Sequence, residues 1–331
     1  MTFNNKCKMI KFFMRNWSKN SNMYNKKFKI QCIIIIFILN LFLEINIYFL
    51  KEKTKKLKVC LCTLGKKENR YIREYVEHYK KYDVDKIYLY DNNDINGEKF
   101  EDVIDDYINK GYVEIFNWRG QILPIFKIMN DCYIRNYEKY DWLIFYELDE
   151  FIHLSGFKSV KSFLNKKRFK KCPVIYLNFV YHTDNNLLYY ENKSLAERFP
   201  ILEPLKKGGK PPEVKSILRG HVPNIKLECL HRFNYGLENC NGFGHKNKAH
   251  GLSNTDPDYK YYYIDHYYSK STEEFINKIN RGDAFKSTIG YTMLRVYKYY
   301  KQSNFTKEKI EMIENQTGLN LSIYRKKLHI E

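Results

Sequence analysis

Glu147, Asp149 and Glu150 close the run Trp142, Leu143, Ile144, Phe145, Tyr146, Glu147, Leu148, Asp149, Glu150, Phe151, an apolar stretch that ends abruptly in carboxylates. Its apolar part does not alternate with polar residues, which predicts a strand covered on both faces, as in the middle of a parallel sheet. If the strand runs on through the acids, Glu147 and Asp149 sit at i and i+2 and share a face, about 6 to 7 Å apart. Oxygen ligands so placed suit a hard divalent cation. Mg²⁺ or Mn²⁺ held by one or two carboxylates, with substrate phosphates completing its shell, is the chemistry expected there. In open α/β sheets ligands gather beyond the carboxyl ends of the strands, where this cluster falls. An isolated acid-x-acid triplet is also how a soluble strand end is made, so its weight depends on the elements around it.

Those elements begin at Leu57. Leu57 to Leu64 reads as a strand, Glu68 to Tyr82 as a helix with Tyr71, Ile72, Tyr75, Val76 and Tyr79 on one face, and Lys86 to Tyr90 as a second strand. Glu98 to Asn109 is a second helix stopped by Gly111, Tyr112 to Trp118 a third strand, and Pro124 to Tyr140 a third helix with proline in its first turn. Such alternation predicts parallel strands joined by right-handed crossovers, hence an α/β domain. Beyond residue 152 the pattern loosens. A short helix near Lys158 to Phe169 precedes a strand at Val174 to Tyr181, a Gly/Pro segment at Lys206 to Pro212 marks a loop, and Thr272 to Arg281 is a helix capped by Ser271 or Thr272.

The 331-residue chain carries 57 Lys+Arg against 38 Asp+Glu, a formal net charge of +19. The basic residues are scattered and no finger, homeodomain or RNP pattern is present, so nucleic acid is not the expected partner. Gln31 to Leu50 is long and apolar enough for a bilayer-spanning helix, although Glu44 is costly at membrane depth. The acid-free basic stretch before it predicts a cytoplasmic N-terminus and a single-pass type II protein, Golgi-resident in a eukaryotic source. Cys60, Cys62 and Cys132 fall in a strand and a helix and are expected as buried free thiols, whereas Cys172, Cys229 and Cys240 could pair in an oxidising compartment.

Several ordered blocks resemble glycosyltransferase family 92, related to the family 2 enzymes on the GT-A (nucleotide-diphospho-sugar transferase) fold. They are KKENRYIREYVEHY at Lys66 to Tyr79, KIYLYDNND at Lys86 to Asp94, the set Gln121, Asp131, Cys132 and Arg135, YELDEF at Tyr146 to Phe151, and IDHYYSKSTEEFINKINRGD at Ile264 to Asp283. Glu147 departs from the pattern, standing where the family usually has the first Asp. The resemblance implies a GT-A domain over residues 57–285, preceded by a basic tail (1–30) and an anchor (31–50) and followed by a helical extension (286–331).

It also implies roles. Asp149 is the first metal ligand, Glu147 touches ribose or a metal-bound water, and His266 is the third ligand by analogy with GT-A enzymes that use a late histidine. Thr63, Glu68, Asp91 and Asn92 lie where this fold binds base and ribose, Arg135 faces the donor site, and Lys270, Lys278 and Arg281 reach the diphosphate. An inverting transfer needs a general base on the acceptor hydroxyl. Asp184 and Glu197 are candidates, with Asp184 preferred, and His182 and His231 are further polar residues near the acceptor side. The expected activity is a metal-dependent transfer of a hexose, galactose being one candidate, from a UDP-sugar or similar donor to a glycan. Two alternatives stay open: an inactive relative that binds nucleotide or glycan, and a metal-dependent nucleotidyltransferase.

Overall fold

A computed structural model describes residues 36–44, 56–122, 125–204, 213–229, 231–233, 238–246, 257–282, 295–296, 299 and 306–321. The chain divides into two units, Met1–Lys56 and Leu57–Glu331. In the first, residues 36–44 form a helix whose side chains, Phe37 and Phe42 among them, are exposed. Among the described residues no helix is long and apolar enough to cross a membrane. The remainder of the expected anchor, like the Lys206–Pro212 loop and Pro124, lies outside the described residues.

The second unit is a mixed sheet flanked by helices. It opens with β1 (Val59–Gly65), α1 (Asn69–Lys81), β2 (Lys86–Asp91), α2 (Glu101–Asn109), β3 (Val113–Asn117), α3 (Ile125–Asn136) and β4 (Trp142–Phe145). β1, β2, β3 and β4 are mutually parallel where they pair, as the alternation predicts. α1 packs because Tyr71, Ile72, Tyr75, Val76 and Tyr79 are buried on one stripe. Full burial of each such side chain is worth roughly 1.5–3 kcal/mol.

Beyond β4 the topology changes. β5 (Glu150–Leu154), α4 (Val160–Leu164), β6 (Val174–Tyr181), α5 (Leu195–Arg198) and β7 (Val214–Arg219) lead to a hairpin of β8 (Leu227–Cys229) and β9 (Arg232–Phe233). β10 (Asn239–Cys240) and β11 (Tyr262–His266) follow, then α6 (Thr272–Asn280) and α7 (Lys307–Thr317). The strand order is β3-β2-β1-β4-β7-β6-β11-β5, with β10 beside β6. β7 runs antiparallel to β4 and β6, and β5 antiparallel to β11, while β6 pairs parallel with β11 and β10, so the sheet is wholly parallel over β3-β2-β1-β4 and mixed beyond.

Two expectations are corrected here. The acid-tipped strand stops at Phe145, and residues 147–149 form the link into β5, closed by the Glu150 N–H donating to the Glu147 carbonyl at 3.1 Å. Glu147 and Asp149 therefore do not share a strand face. The chain reverses because β5 must turn back to pair with β11. The cysteines differ in part: Cys62 on β1 bonds Cys132 on α3, leaving Cys60 as the buried free thiol of the three, whereas Cys172 bonds Cys240 within the set expected to pair. A strand and the helix covering it bring the first pair together, which the separate elements do not reveal.

The end of β1 lies tight against the acidic link. Gly65 has no room for a Cβ, which would collide with Leu148 and Phe100. α6 starts with a capping box in which the Ser271 and Glu274 side chains each take the other's backbone N–H. α7 packs on α6 through Phe275, Ile276, Tyr299, Met312 and Ile313.

Candidate active site

His266 ends β11 directly opposite Glu150, the first residue of β5, and the Tyr267 N–H donates to the Asp149 carbonyl at 3.0 Å. These two pairings gather Asp149, Glu150 and His266 into one buried group whose ligand atoms lie within 4.8 Å of one another. His266 Nε2 is 3.7 Å from Asp149 Oδ1. His266 Nδ1 is buried with no hydrogen-bond partner among the described residues, and Glu150 Oε1 is buried with only the Lys215 ammonium, 3.2 Å away, beside it. Unsatisfied buried polar atoms are costly unless something completes them, and hard oxygen donors with an imidazole suit a divalent cation such as Mn²⁺ or Mg²⁺.

Lysines neutralise the acids. Lys278 Nζ, from α6, is 2.8 Å from Asp149 Oδ2, and Lys215 Nζ, from β7, is 2.8 Å from Glu147 Oε2 and 3.2 Å from Glu150 Oε1. Burial acts to raise the Asp149 carboxyl, yet Lys278 and His266 outweigh it and hold it well below the usual carboxylate range. Glu147 feels the same opposition and is held at about 2, chiefly by Lys215. Glu150 goes the other way. Its complete burial, with Glu147 and Asp149 adjacent, pushes it well above the ordinary glutamate value against the pull of Lys215. Burial lowers Lys278 to about 8, with Asp149 resisting and neighbouring Lys270, Arg281 and Arg295 adding to the fall.

Beside this group opens a cleft of about 330 Å³ lined by Glu68, Tyr71, Tyr268, Lys270, Lys278 and Arg281, with others. Lys270 and Arg281 both pair with Glu68, Lys270 at 3.2 Å, and the Lys270 ammonium sits 3.7 Å over the Tyr71 ring. Glu274 is already satisfied by Arg198, Ser271 and Tyr71. Cations thus outnumber available acids around the cleft, which suits a dianionic ligand.

Of the residues singled out from sequence, Glu68, Lys270, Lys278 and Arg281 line this cleft, and Asp149 and His266 adjoin it through Lys278. The others do not converge there. Glu147 turns its half-exposed carboxylate to Lys215, and Glu150 takes its place in the acid–histidine group. Thr63 is fully buried in β1. Asp91 is buried against Arg119 at 2.5 Å and accepts the Asn93 N–H, while Asn92 donates to the carbonyls of Trp118 and Gln121. Both side chains hold loops at the strand ends. Arg135 is exposed and pairs at 2.6 Å with Asp131, one turn back on α3.

Asp184 does not line the cleft either. Its carboxylate accepts from Lys309 at 2.5 Å and Tyr299 at 3.0 Å, and both it and Lys309 are buried, so it clasps α7. Glu197 is tied up in the capping box of α5 with Ser194. His182 is buried with its ring nitrogens 2.6 Å from the Phe199 carbonyl and 2.8 Å from Asp265. His231 lies 3.1 Å from the Val214 carbonyl, and burial lowers it to about 4.

Glu150 and Lys215 are the site residues that sequence reading missed. Glu150 is the third acid of the run and falls off the face that strand alternation gives to Glu147 and Asp149. Lys215 has a fainter signal: with Ser216 it interrupts the apolar residues Val214, Ile217 and Leu218 of one strand.

An α/β domain with a buried acid–histidine group beside a cationic cleft is the class that fold and site define. The family model for glycosyltransferase family 92 matches residues 55–221, half of the chain, and the chain belongs to that family. Its match ends before His266 and Lys270, so it covers the acidic link but not the last block of the resemblance.

Among curated relatives, a family 92 protein of Oryza sativa subsp. japonica is 25% identical over 116 residues, 34% of this chain and 19% of the relative. One of Ricinus communis is 29% identical over 104 residues, 30% of this chain and 18% of the relative. Each match spans about a fifth of the relative's length. Among solved structures, S. aureus TarS 1-349 in complex with UDP-GlcNAc gives a TM-score of 0.35 at 12% identity, over 83% of this chain and 76% of that one. GalNAc-T7 with UDP, GalNAc and Mn²⁺ gives 0.28 at 15% identity, over 39% of this chain and 23% of that one. Scores this low carry no argument for this chain.

Proposed function

We propose that this family 92 glycosyltransferase is a GT-A enzyme that moves a hexose, galactose being one candidate, from a nucleotide-diphosphate sugar such as a UDP-sugar to a glycan, with inversion. The observation that carries the reading is the buried group of Asp149, Glu150 and His266 beside a cleft rimmed by Lys270, Lys278 and Arg281. Asp149, Glu150 and His266 would hold a divalent cation, which supplies charge neutralisation for a departing diphosphate. Lys270 and Arg281 are placed to bind the donor phosphates, and Glu68 keeps both side chains aimed into the cleft while it is free. Burial strengthens each of these charge contacts.

The proposal includes a single-pass type II anchor within residues 31–50, argued from the apolar segment and the acid-free basic stretch before it, and a Golgi setting in a eukaryotic source. The Cys62–Cys132 and Cys172–Cys240 bonds are in keeping with an oxidising lumen. An inactive nucleotide-binding relative is the second reading, favoured by the lysines that already neutralise Glu147 and Asp149.

A screen of nucleotide sugars against the full chain in detergent separates them. The enzyme reading expects nucleotide diphosphate to be released from one donor with Mn²⁺ and not with chelator. Tight nucleotide binding with no release from any donor supports the inactive relative instead.

A further inference from the structure

Lys278 occupies a position that a bound cation would contest. Its ammonium donates to Asp149 Oδ2 at 2.8 Å and to the Tyr268 carbonyl at 3.2 Å, and lies 4.1 Å over the Tyr268 ring. The side chain is largely buried, yet it also lines the 330 Å³ cleft. It therefore stands on the boundary between the acid–histidine group and the space assigned to the donor phosphates. Lys215 differs. It is paired with Glu147 and Glu150 and takes no part in lining the cleft.

Two cations cannot share Asp149 at close range without strong repulsion in a low-dielectric site. A buried carboxylate left with no cation is equally unfavourable. From these constraints we infer that Lys278 is a tethered counter-ion for Asp149, competing with the divalent cation for that carboxylate and turning its ammonium into the cleft when the cation binds. In the metal-free protein it keeps Asp149 paired; in the loaded protein it adds a positive charge where a diphosphate would sit. The inference rests on the metal reading of the site given above.

The test is Mn²⁺ binding to the full chain, by calorimetry and by the Mn²⁺-induced shift in melting temperature, for wild type, Lys278→Met, Lys278→Gln and Lys278→Arg. Competition expects Lys278→Met to bind Mn²⁺ about tenfold tighter or more, the scale of one charge contact at an effective interior dielectric. Its melting temperature should rise further with Mn²⁺ than that of the wild type, whereas Lys278→Arg, which keeps the charge, should show neither gain. A Lys278→Met protein that folds only with Mn²⁺ is the same result in stronger form. Equal or weaker Mn²⁺ binding by Lys278→Met overturns the competition and leaves the metal site standing. No Mn²⁺ binding by any of the proteins overturns both. Should Lys278→Met and Lys278→Gln both stay unfolded with and without Mn²⁺, Lys278 is purely structural and the inference fails.

Discussion

Lys309 Nζ lies 2.5 Å from Asp184 Oδ2, tying α7 to the loop after β6 across 125 residues of sequence. Both side chains are buried, and the Tyr299 hydroxyl donates to the same oxygen. The residue expected from sequence to activate an acceptor thus fastens the C-terminal helix.

Breaking one partner of such a pair leaves a buried charge uncompensated, which costs about 3–5 kcal/mol. Asp184→Ala should therefore lower unfolding stability by that order, read by denaturant titration, while donor hydrolysis per folded molecule changes little. A large loss of hydrolysis at unchanged stability would return Asp184 to the chemistry.

Asp149→Asn keeps the shape of the side chain and removes its charge. If Asp149 helps hold the cation, turnover of the donor found by the screen should fall about 10² to 10³-fold, the scale of one preorganised electrostatic contact. Glu147→Asp, which restores the usual family residue and can still face Lys215, should keep most activity. Full turnover by Asp149→Asn in the presence of chelator would refute a metal-assisted transfer.

Arg135 is predicted to matter little. Its contact is an exposed ion pair one helical turn long, and such pairs contribute about 0.3–0.5 kcal/mol. Arg135→Ala should leave both the melting temperature and nucleotide diphosphate affinity nearly unchanged; weakened affinity at unchanged stability would place it at the donor site after all.

His78 gives a pH prediction. Its Nε2 is 3.0 Å from the Ile152 carbonyl, and burial lowers it to about 4. An unfolded histidine titrates near 6.5, so between roughly 6.5 and 4 the unfolded chain binds this proton more readily than the folded one. The stabilisation is present above pH 6.5 and is lost as pH falls toward 4, by on the order of 1–2 kcal/mol for this partly exposed ring. His78→Gln, which keeps a donor for Ile152, should flatten the acid limb of a stability–pH curve without abolishing it, since His231 is also held at about 4. An unaltered slope in the variant would show that His78 does not contribute.

What the sequence determined by itself was the part governed by local pattern. The stripe Tyr71, Ile72, Tyr75, Val76, Tyr79 and the unbroken apolar runs specify α1, β1, β2 and β4, because helix and strand periods are written in neighbouring residues. The ordered blocks led to family 92, and Asp149 was legible as the acid at a strand end. Only the tertiary structure decided which side chains meet. The antiparallel return of β5 against β11 places Glu150 opposite His266 and turns Glu147 away, and β7 delivers Lys215 from 68 residues along the chain. The Cys62–Cys132 bond and the Asp184–Lys309 clasp were invisible for the same reason. Each depends on a pairing between distant segments, set by the burial of whole elements against one another and not by any spacing within a segment.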